Sequence, residues 1–324
     1  MEPLATPLII IAEGNDYSRD ALQLYAQHAR VQVFTQAFDP ELEALLPQAT
    51  GLVCRLQRKW DAAMLAKAPN LRFIISPTTA LNHIDEGYCQ QHDIRIISLQ
   101  GAADWLAQIP STAEHTWALL MAAMRRLLPA HQHVMDGHWQ RDYWKGHNLR
   151  GKTIGLIGYG RVARQVAGYA AAFGMQVLAF DRKQMEQAAP AEQVGDIQQL
   201  LAVSDIVSLH ISAAGNDDFF NQQLIDQCRA GAMLINTARG NVWDEQAVAN
   251  ALLNGQLGAV ATDVLSDELS DAWQQSPLVK AARLSNRVII TPHIAGATYE
   301  SMKATEDYVA QQWADWWRSE WQQR

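Results

Sequence analysis

The stretch that decides the fold is TIGLIGYGRVARQVAGYAAAF, residues 153–173. An apolar strand pattern, Thr153–Ile157, leads directly into a glycine turn, and a helical pattern rich in small residues follows. Gly158 permits a tight turn, Gly160 lets the backbone approach a pyrophosphate, and Ala163 lets the helix lie close to the strand. In this strand–turn–helix setting, the pattern predicts a dinucleotide site where free N–H groups and the helix dipole face the anion.

An acidic residue follows the next predicted strand. Gln176–Phe180 ends at Asp181, about 20 residues beyond the glycines, where a carboxylate can accept hydrogen bonds from both ribose hydroxyls and repel a 2′-phosphate. Arg182 and Lys183 come next, and their charges could neutralise such a phosphate. The sequence therefore predicts NAD as the cofactor, as a preference over NADP. The alternative is a tight strand–helix turn that binds no nucleotide.

Strand and helix patterns alternate along nearly the whole chain, which is typical of parallel sheets covered by helices. We therefore predict an α/β fold with two doubly wound, Rossmann-like parallel-sheet domains. The predicted strands are Leu8–Ala12, Val31–Thr35, Gly51–Cys54, Arg72–Ser76, Ile94–Ser98, Thr153–Ile157, Gln176–Phe180, Ile206–His210, Ala232–Asn236, Gly258–Thr262 and Val288–Thr291.

Two further segments have clear helical patterns. Ser111–Glu114 has the form of a capping box and predicts a helix that runs to about Arg126 and links the two domains. The segment Tyr299–Arg324 reads as one helix that places Trp313 and two other tryptophans, Trp316 and Trp317, on one face. Such an aromatic stripe favours core packing or a subunit contact over ligand stacking.

Composition narrows the function classes. The 324 residues suggest two domains at roughly 150 residues each, and 48% hydrophobic with 19% charged residues is typical of globular proteins. A formal charge of −8 argues against nucleic acid as a partner. Three scattered cysteines, Cys54, Cys89 and Cys228, predict reduced core thiols and no zinc site. No signal peptide and no apolar run of about 18 residues is visible, so we expect no membrane association and a cytoplasmic location.

Three ionisable residues each come shortly after an apolar strand in the second half of the chain: Arg239, Glu268 and His293. The carboxyl ends of strands in open α/β sheets face the ligand crevice, so these side chains are candidates for one active site. Taken singly, each has a plainer explanation, because an arginine after a strand is usually solvated and a lone histidine is more often structural. Their common setting favours a catalytic group, and no metal site is predicted.

With these residues, the sequence resembles the NAD-dependent D-isomer-specific 2-hydroxyacid dehydrogenase family, most closely its phosphoglycerate-dehydrogenase-like branch. The resemblance covers essentially the entire chain. It implies a substrate domain of residues 1–108 plus 295–324, an NAD-binding domain of residues 109–294, and an active site in the cleft between them. The motifs that carry it are Leu149–Gly155, the Gly158/Gly160 turn, Leu209–His210, Asn236–Gly240, Asp263–Val264, Pro292–His293 and Gly296.

The resemblance also implies roles that the chemistry of the side chains supports. Arg239 would hold the substrate carboxylate and polarise the C2 carbonyl. His293 would donate a proton to the C2 oxygen during reduction. Glu268 would bind the far ring nitrogen of His293 and favour the protonated imidazole, although Asp267 and Glu245 compete for this assignment because Leu269 replaces the usual proline.

The remaining implied contacts are with cofactor and substrate. The expected cofactor-binding residues are Thr112, Gly158, Tyr159, Gly160, Arg161, Val162, Asp181, His210, Ile211, Thr237, Ala238, Asp263 and Gly296. The expected substrate-binding residues are Arg55, Thr79, Ala80, Arg239 and His293. The substrate loop, Ser76–His83, departs from the family's G-x-G pattern, so its shape stays open.

Arg55 follows the strand Gly51–Cys54, where the family carries an arginine near the part of the substrate remote from C2. It would then favour a phosphorylated or dicarboxylic 2-oxo acid. The alternative is that Arg55, with Arg58 and Lys59, belongs to a solvated basic turn.

The resemblance further implies a homodimer formed through the Ser111–Arg126 helix and the aromatic segment that contains Trp139, Tyr143 and Trp144. A small-molecule 2-oxo or 2-hydroxy acid is the expected substrate. The alternative function is an NAD(H)-sensing binding protein on the same scaffold, like the family's transcriptional corepressors.

Overall fold

The computed structural model describes residues 6–185 and 190–321. The chain divides into two compact units, Met1–Leu106 with Thr298–Arg324, and Ala107–Ala297. The sequence-based domains, 1–108 plus 295–324 and 109–294, were defined by which residues bind the substrate and which bind NAD. That division stays a prediction. Within the described ranges, no helix is long and apolar enough to cross a membrane.

Strands and helices alternate through both units. The strands are β1 (Leu8–Ile11), β2 (Arg30–Val33), β3 (Gly51–Val53), β4 (Phe73–Ser76), β5 (Arg95–Ser98), β6 (Thr153–Ile157), β7 (Gln176–Phe180), β8 (Glu192–Gln193), β9 (Ile206–Leu209), β10 (Ala232–Asn236), β11 (Leu257–Thr262) and β12 (Val288–Ile290). The helices are α1 (Arg19–Ala26), α2 (Pro40–Leu45), α3 (Ala62–Leu65), α4 (Glu86–Gln91), α5 (Ala103–Leu106), α6 (Ser111–Met124), α7 (Leu127–Met135), α8 (Arg161–Ala172), α9 (Ile197–Val203), α10 (Gln222–Ile225), α11 (Glu245–Leu253), α12 (Pro277–Leu284) and α13 (Tyr299–Trp316).

Both sheets are entirely parallel, which confirms the predicted α/β class. The first has the order β2-β1-β3-β4-β5, and the second has the order β12-β11-β10-β9-β6-β7-β8. In each sheet the strand order reverses once, between β1 and β3 and between β6 and β9. Ligands of open α/β sheets bind beyond the carboxyl ends of the strands at such a reversal, so a ligand site is expected at each of these two places.

All eleven predicted strands are present, with ends that differ by no more than two residues from the prediction. They were recognisable because the central strands are buried on both faces and read as continuous apolar runs, such as the fully buried LIII of β1. The short edge strand β8 was not predicted, since its two residues, Glu192 and Gln193, are exposed and polar.

The capping box predicted at Ser111–Glu114 is wrong. Ser111 is the first residue inside α6 and is buried, and Pro110 occupies the cap position with no capping side chain among the described residues. Proline suits this place because it has no N–H that the helix would need to satisfy. The helix ends at Met124, and Arg126 then adopts a left-handed conformation (φ 50°) before α7 begins.

The C-terminal helix α13 belongs to the first unit, where its tryptophans complete the core. Trp313 and Trp317 are buried, and their rings lie 5.8 and 6.3 Å from that of Phe73 in β4. Trp313 also meets Tyr25 of α1 edge-on at 5.2 Å. Core packing is therefore confirmed for these two residues. A π-helical turn, Trp317–Trp321, follows α13, and the last three residues of the predicted helix lie outside the described residues.

Candidate active site

The glycine turn between β6 and α8 has the geometry that a pyrophosphate requires. Gly158 has φ +85°, and a Cβ there would lie 2.7 Å from the carbonyl oxygen of His210, so no other residue fits without strain. Gly160 caps α8, and a Cβ there would meet no described atom within 4 Å. Ala163 is fully buried against the sheet. The backbone at Gly160 is therefore open to close approach by a ligand.

Asp181 lies beside this turn at the end of β7. One carboxylate oxygen accepts a hydrogen bond from the Tyr159 N–H (2.8 Å), and the other accepts from the Lys183 N–H (2.9 Å). Each oxygen keeps acceptor capacity for a further donor, because a carboxylate oxygen has two lone pairs. These bonds fix the carboxylate beside the glycine turn. The residues around the turn therefore fit NAD.

His210 follows β9 on the other side of the strand-order reversal. Burial lowers the pKa of its imidazole to about 4, and Nε2 lies 3.0 Å from the Ser208 hydroxyl. The ring is therefore neutral at physiological pH. The main-chain carbonyl group of His210 lies so close to Gly158 that a side chain at position 158 would clash with it.

His293 and Glu268 form a hydrogen-bonded pair. Nδ1 of His293 lies 2.6 Å from Oε1 of Glu268, and Oε2 of Glu268 accepts from the Leu265 N–H at 3.2 Å. Glu268, rather than Asp267 or Glu245, is thus the acid that contacts the imidazole. The remaining ring nitrogen, Nε2, is the one available for proton transfer.

Asp263 shapes the loop that carries His293. Its main-chain oxygen accepts from the His293 N–H (2.8 Å), and its carboxylate accepts from the N–H groups of Ile294 (2.9 Å) and Ala295 (2.7 Å). The Thr291 hydroxyl adds a fourth bond at 2.5 Å. These bonds hold His293 in a left-handed conformation with φ +54°, which is uncommon for residues other than glycine.

The carboxyl group of Asp263 is fully buried. Burial alone would raise its pKa, but the hydrogen bonds from His115, Thr291 and the loop backbone hold it below its usual value. Besides the expected contact with the cofactor, which stays a prediction, the carboxylate thus has a role inside the protein, where it accepts hydrogen bonds from the loop of His293. Sequence reasoning missed this role because it depends on donors about 30 positions further along the chain.

His115 is a second residue that sequence reasoning missed. It lies in α6, and its Nε2 is 2.9 Å from the Thr291 hydroxyl and 3.3 Å from Asp263 Oδ1. Because the Thr291 hydroxyl donates to Asp263, it accepts from His115, so Nε2 of His115 carries a proton. The signal available in the sequence was an ionisable residue close to the apolar run Trp117–Met124 of α6.

Arg239 lies in a turn that is stabilised by the side chain of Asn236. The Asn236 side chain donates to the Arg239 carbonyl (2.8 Å) and accepts from the Ala238 N–H (2.9 Å). The guanidinium donates to the Ala238 carbonyl at 2.5 Å. Burial lowers the pKa of Arg239, and the negative charge of Glu268 opposes this effect.

Gly240 allows the Arg239 turn to touch the segment that carries Glu268. A Cβ at Gly240 would lie 2.1 Å from the carbonyl carbon of Leu265 and 2.3 Å from the Ser266 nitrogen, both backbone atoms that cannot move aside cheaply. Any side chain would therefore separate Arg239 from Glu268. The structure brings Arg239, Glu268 and His293 together in the second unit, although they are far apart in sequence.

Thr116 links two of the expected cofactor-binding residues, Thr112 and Thr237, by hydrogen bonds. The Thr116 hydroxyl donates to the Thr112 carbonyl at 2.7 Å, so it accepts from the Thr237 hydroxyl, also at 2.7 Å. The link fastens the first turn of α6 to the end of β10.

The expected cofactor residues all belong to the second unit. Thr112 lies in the first turn of α6, and the others come in the segments that follow the carboxyl ends of its strands: Gly158, Tyr159, Gly160, Arg161 and Val162 after β6, Asp181 after β7, His210 and Ile211 after β9, Thr237 and Ala238 after β10, Asp263 after β11, and Gly296 after β12.

Arg55 lies in the first unit and is not part of a solvated turn, so that alternative is wrong. Its guanidinium forms an ion pair with Glu306 of α13, and the two side chains are 16% and 1% exposed. It also donates to the Asn15 carbonyl (3.2 Å) and lies over the Tyr17 ring. Arg55 and Glu306 are 251 positions apart, which no local pattern could reveal.

Thr79 and Ala80 lie in the loop after β4, the strand next to the one that ends before Arg55. The Thr78 hydroxyl donates to the Ala80 carbonyl at 2.9 Å, and Ser76 contacts both the Thr78 hydroxyl (2.9 Å) and the buried His83 ring (3.1 Å). Side-chain hydrogen bonds therefore fix the loop where the family pattern uses glycines.

Comparison with known proteins gives consistent matches. Residues 117–295, more than half of the chain, match the family described as "D-isomer specific 2-hydroxyacid dehydrogenase, NAD binding domain". The chain is 30% identical over 287 residues to a hydroxypyruvate reductase of Thermotoga maritima, covering 88% of this chain and 90% of that protein. It is 32% identical over 299 residues to a D-3-phosphoglycerate dehydrogenase of Archaeoglobus fulgidus, covering 90% of this chain but only 54% of that longer relative.

A solved structure extends the similarity to nearly the whole chain. The D-lactate dehydrogenase of Aquifex aeolicus, complexed with NAD and lactic acid, superposes with a TM-score of 0.79 at 25% sequence identity. The superposition covers 98% of this chain and 97% of that one.

Proposed function

The chain belongs to the D-isomer specific 2-hydroxyacid dehydrogenase family, and we propose that it interconverts a D-2-hydroxy acid and its 2-oxo acid with NAD(H). The observation that carries this proposal is the 2.6 Å hydrogen bond between His293 and Glu268 in the same unit as Arg239 and the glycine turn. The matched domain is an NAD-binding domain, and NAD is the cofactor.

The proposed mechanism assigns one task to each of three side chains. Arg239 binds the substrate carboxylate through its forked guanidinium and draws electron density from the C2 carbonyl. His293 donates the proton on Nε2 to the C2 oxygen during reduction and takes it back during oxidation. Glu268 holds the imidazole by Nδ1 and stabilises its positive charge. The glycine turn and Asp181 would hold NAD(H), which would supply the hydride for reduction at C2 and take it up in oxidation.

We propose that different parts of the chain bind the substrate and the cofactor. In this assignment, residues 1–108 plus 295–324 bind the substrate through the Thr79–Ala80 backbone, and residues 109–294 bind NAD. Both sets of candidate residues follow the carboxyl ends of parallel strands, where open α/β sheets bind their ligands.

The alternative, an NAD(H)-sensing binding protein, is not favoured. The matched relatives are named as reductases and dehydrogenases. A sensor also has no need of a partly buried arginine in the same unit as a paired histidine and glutamate, since burying such charged groups costs stability.

The charge balance around Arg55 bears on the substrate class. Arg55 follows β3 and Glu13 follows β1, at the strand-order reversal of the first sheet. Glu306 pairs with Arg55, and Glu13 accepts hydrogen bonds from the N–H groups of Arg55 (3.0 Å) and Gln57 (3.1 Å). The positive charge is therefore already matched by acids. We propose small 2-oxo acids without a second negative charge as substrates, in place of the phosphorylated or dicarboxylic acids that Arg55 alone would favour.

A substrate panel tests this assignment. With NADH, the protein should reduce glyoxylate, hydroxypyruvate or pyruvate better than oxaloacetate or phosphohydroxypyruvate. Glu306 also accepts from the Ser18 N–H at 2.7 Å. Glu306→Gln keeps an acceptor for this N–H but removes the charge opposite Arg55, so the kcat/KM ratio of oxaloacetate to glyoxylate should rise about tenfold. Asp307→Asn is the matched control. A parent preference for oxaloacetate contradicts the substrate assignment, and a lack of NADH consumption with every acid contradicts the proposed function.

The second prediction concerns proton transfer. His293→Ala should lower kcat by roughly 10²- to 10⁴-fold, the usual contribution of general acid–base catalysis, and leave the Kd for NADH nearly unchanged. Glu268→Gln removes the anion that stabilises the imidazolium, so the pH optimum for reduction should move down. Asp267→Asn, one residue away, should leave that optimum in place. If His293→Ala loses NADH affinity instead, His293 has a structural role.

The third prediction concerns cofactor choice. The Asp181 carboxylate should repel the 2′-phosphate of NADPH, so kcat/KM should be higher with NADH, and Asp181→Ala should narrow the difference. Asp196→Ala, which removes an acid at the start of α9, serves as the control. Equal or better turnover with NADPH in the parent protein would rule out this role for Asp181.

We further propose that the protein is a homodimer formed through α6, α7 and the aromatic segment that follows. Apolar side chains are concentrated on the surface of this region: Leu127, Leu128, Met135, Trp139 and Tyr143 are each more than half exposed, and Trp139 is 87% exposed. An apolar patch of this kind on a single chain typically marks a contact surface.

Light scattering at micromolar concentration should report twice the chain mass of 36.1 kDa. Leu128→Glu with Met135→Glu places charges in the contact and should shift the mass toward the monomer, while Leu284→Glu, an exposed leucine on α12, should not. A monomeric parent protein would overturn the dimer.

We propose a cytoplasmic location. Cys54, Cys89 and Cys228 are free and buried, as expected of a protein from a reducing compartment. Burial raises the pKa of the Cys228 thiol to about 12, which keeps it protonated and unreactive.

A further inference from the structure

Glu245 is a buried acid that the proposed mechanism does not use. It is the first residue of α11, it is only 9% exposed, and both of its carboxylate oxygens are hydrogen-bonded. Oε1 accepts from the Ser266 N–H at 2.8 Å, and Oε2 accepts from the Ser276 hydroxyl at 2.6 Å. The amino end of the α11 dipole favours a negative charge at this position.

Ser266 and Ser276 are the two ends of the segment that carries Glu268. Residues 270–275 between them are exposed and include the short 3-10 helix Asp271–Gln275. Ser276 also caps α12, since its hydroxyl oxygen accepts from the Leu278 N–H at 3.2 Å. A single buried carboxylate therefore fastens both ends of an otherwise exposed loop.

The backbone at Leu265 and Ser266 contacts the Arg239–Gly240 turn, Glu268 and Glu245. Gly240, next to Arg239, lies against this backbone. The Leu265 N–H donates to Glu268, and the Ser266 N–H donates to Glu245. Without Glu245, the Ser266 N–H would lose its acceptor, and the segment would be fixed mainly by Glu268 itself.

We propose that Glu245 is a positioning residue, which holds the Ser266–Ser276 segment so that Glu268 keeps its hydrogen bond to His293. It acts through hydrogen-bond geometry and is not a second acid for the imidazole. The proposal rests on the proposed function for its effect on activity, because a displacement of about 1 Å in a catalytic group can cost roughly 10²-fold in rate.

The variants Glu245→Ala and Glu245→Gln separate geometry from charge. Glutamine can still accept from the Ser266 N–H, and its amide can donate to the Ser276 hydroxyl, so it should retain kcat within about threefold of the parent with the same pH profile. Alanine removes both bonds and should lower kcat by roughly 10- to 100-fold, with the Kd for NADH little changed. The matched control is Glu86→Ala, because Glu86 is also the first residue of a helix after a capping aspartate but is exposed.

Hydrogen exchange gives a readout that does not depend on activity. Peptides that cover residues 264–276 should exchange faster in Glu245→Ala than in the parent or in Glu86→Ala, since the Ser266 N–H loses its acceptor. Unchanged exchange overturns the proposal even if the protein proves to have another activity. If Glu245→Ala exchanges faster but the parent protein reduces no 2-oxo acid, the positioning role of Glu245 is supported and only the proposed function is contradicted.

A double-variant cycle with Glu268→Gln tests the route of the effect. If Glu245 acts through Glu268, adding Glu245→Ala to Glu268→Gln should lower kcat by much less than it does in the parent. If the effects of Glu245→Ala and Glu268→Gln on kcat are fully additive, the proposal is overturned. It is also overturned if Glu245→Gln lowers kcat as much as Glu245→Ala does. Should Glu245→Ala fail to fold, Ser276→Ala removes one of the two bonds, and it should speed exchange and lower kcat more mildly.

Discussion

A fully buried carboxylate, that of Asp263, determines the shape of the loop on which the proposed chemistry depends. A buried anion without hydrogen-bond donors is strongly destabilising, so the donors must gather around it whatever else the loop does. They come from Thr291, Ile294 and Ala295, and together they leave His293 in a backbone conformation that it would rarely adopt alone. The conformational strain at His293 is offset by the satisfaction of Asp263.

The site is therefore assembled from two fixed halves. Asp263 fixes the histidine loop, while the contact between Gly240 and Leu265, together with the bonds of Glu245, fixes the segment of Glu268. The hydrogen bond between Glu268 and His293 joins the halves. A proton donor held in this way needs little reorganisation when charge develops on the substrate, which is where preorganised sites gain most of their advantage.

The sequence was sufficient for features that depend on local patterns. The glycine turn and the apolar strands could be recognised from residue type and spacing, and the structure contains both. Arg239, Glu268 and His293 were candidates from their places after strands and from the family resemblance; the structure pairs Glu268 with His293, and their catalytic roles stay a proposal. The ion pair of Arg55, the internal role of Asp263 and the anchoring role of Glu245 could not, because each depends on a partner 20 to 250 positions away. The capping box at Ser111 failed for a smaller reason, since Pro110 moved the helix start by one residue.

The return of α13 to the first unit also affects the order in which the protein can fold during synthesis. Ala107–Ala297 is continuous, so its core can form as soon as it leaves the ribosome. The first sheet is made earlier, but the face of Phe73 stays uncovered until Trp313 and Trp317 emerge. The segment up to Leu106 therefore keeps this apolar surface exposed until the last helix is synthesised, and exposed apolar surface of this kind favours aggregation.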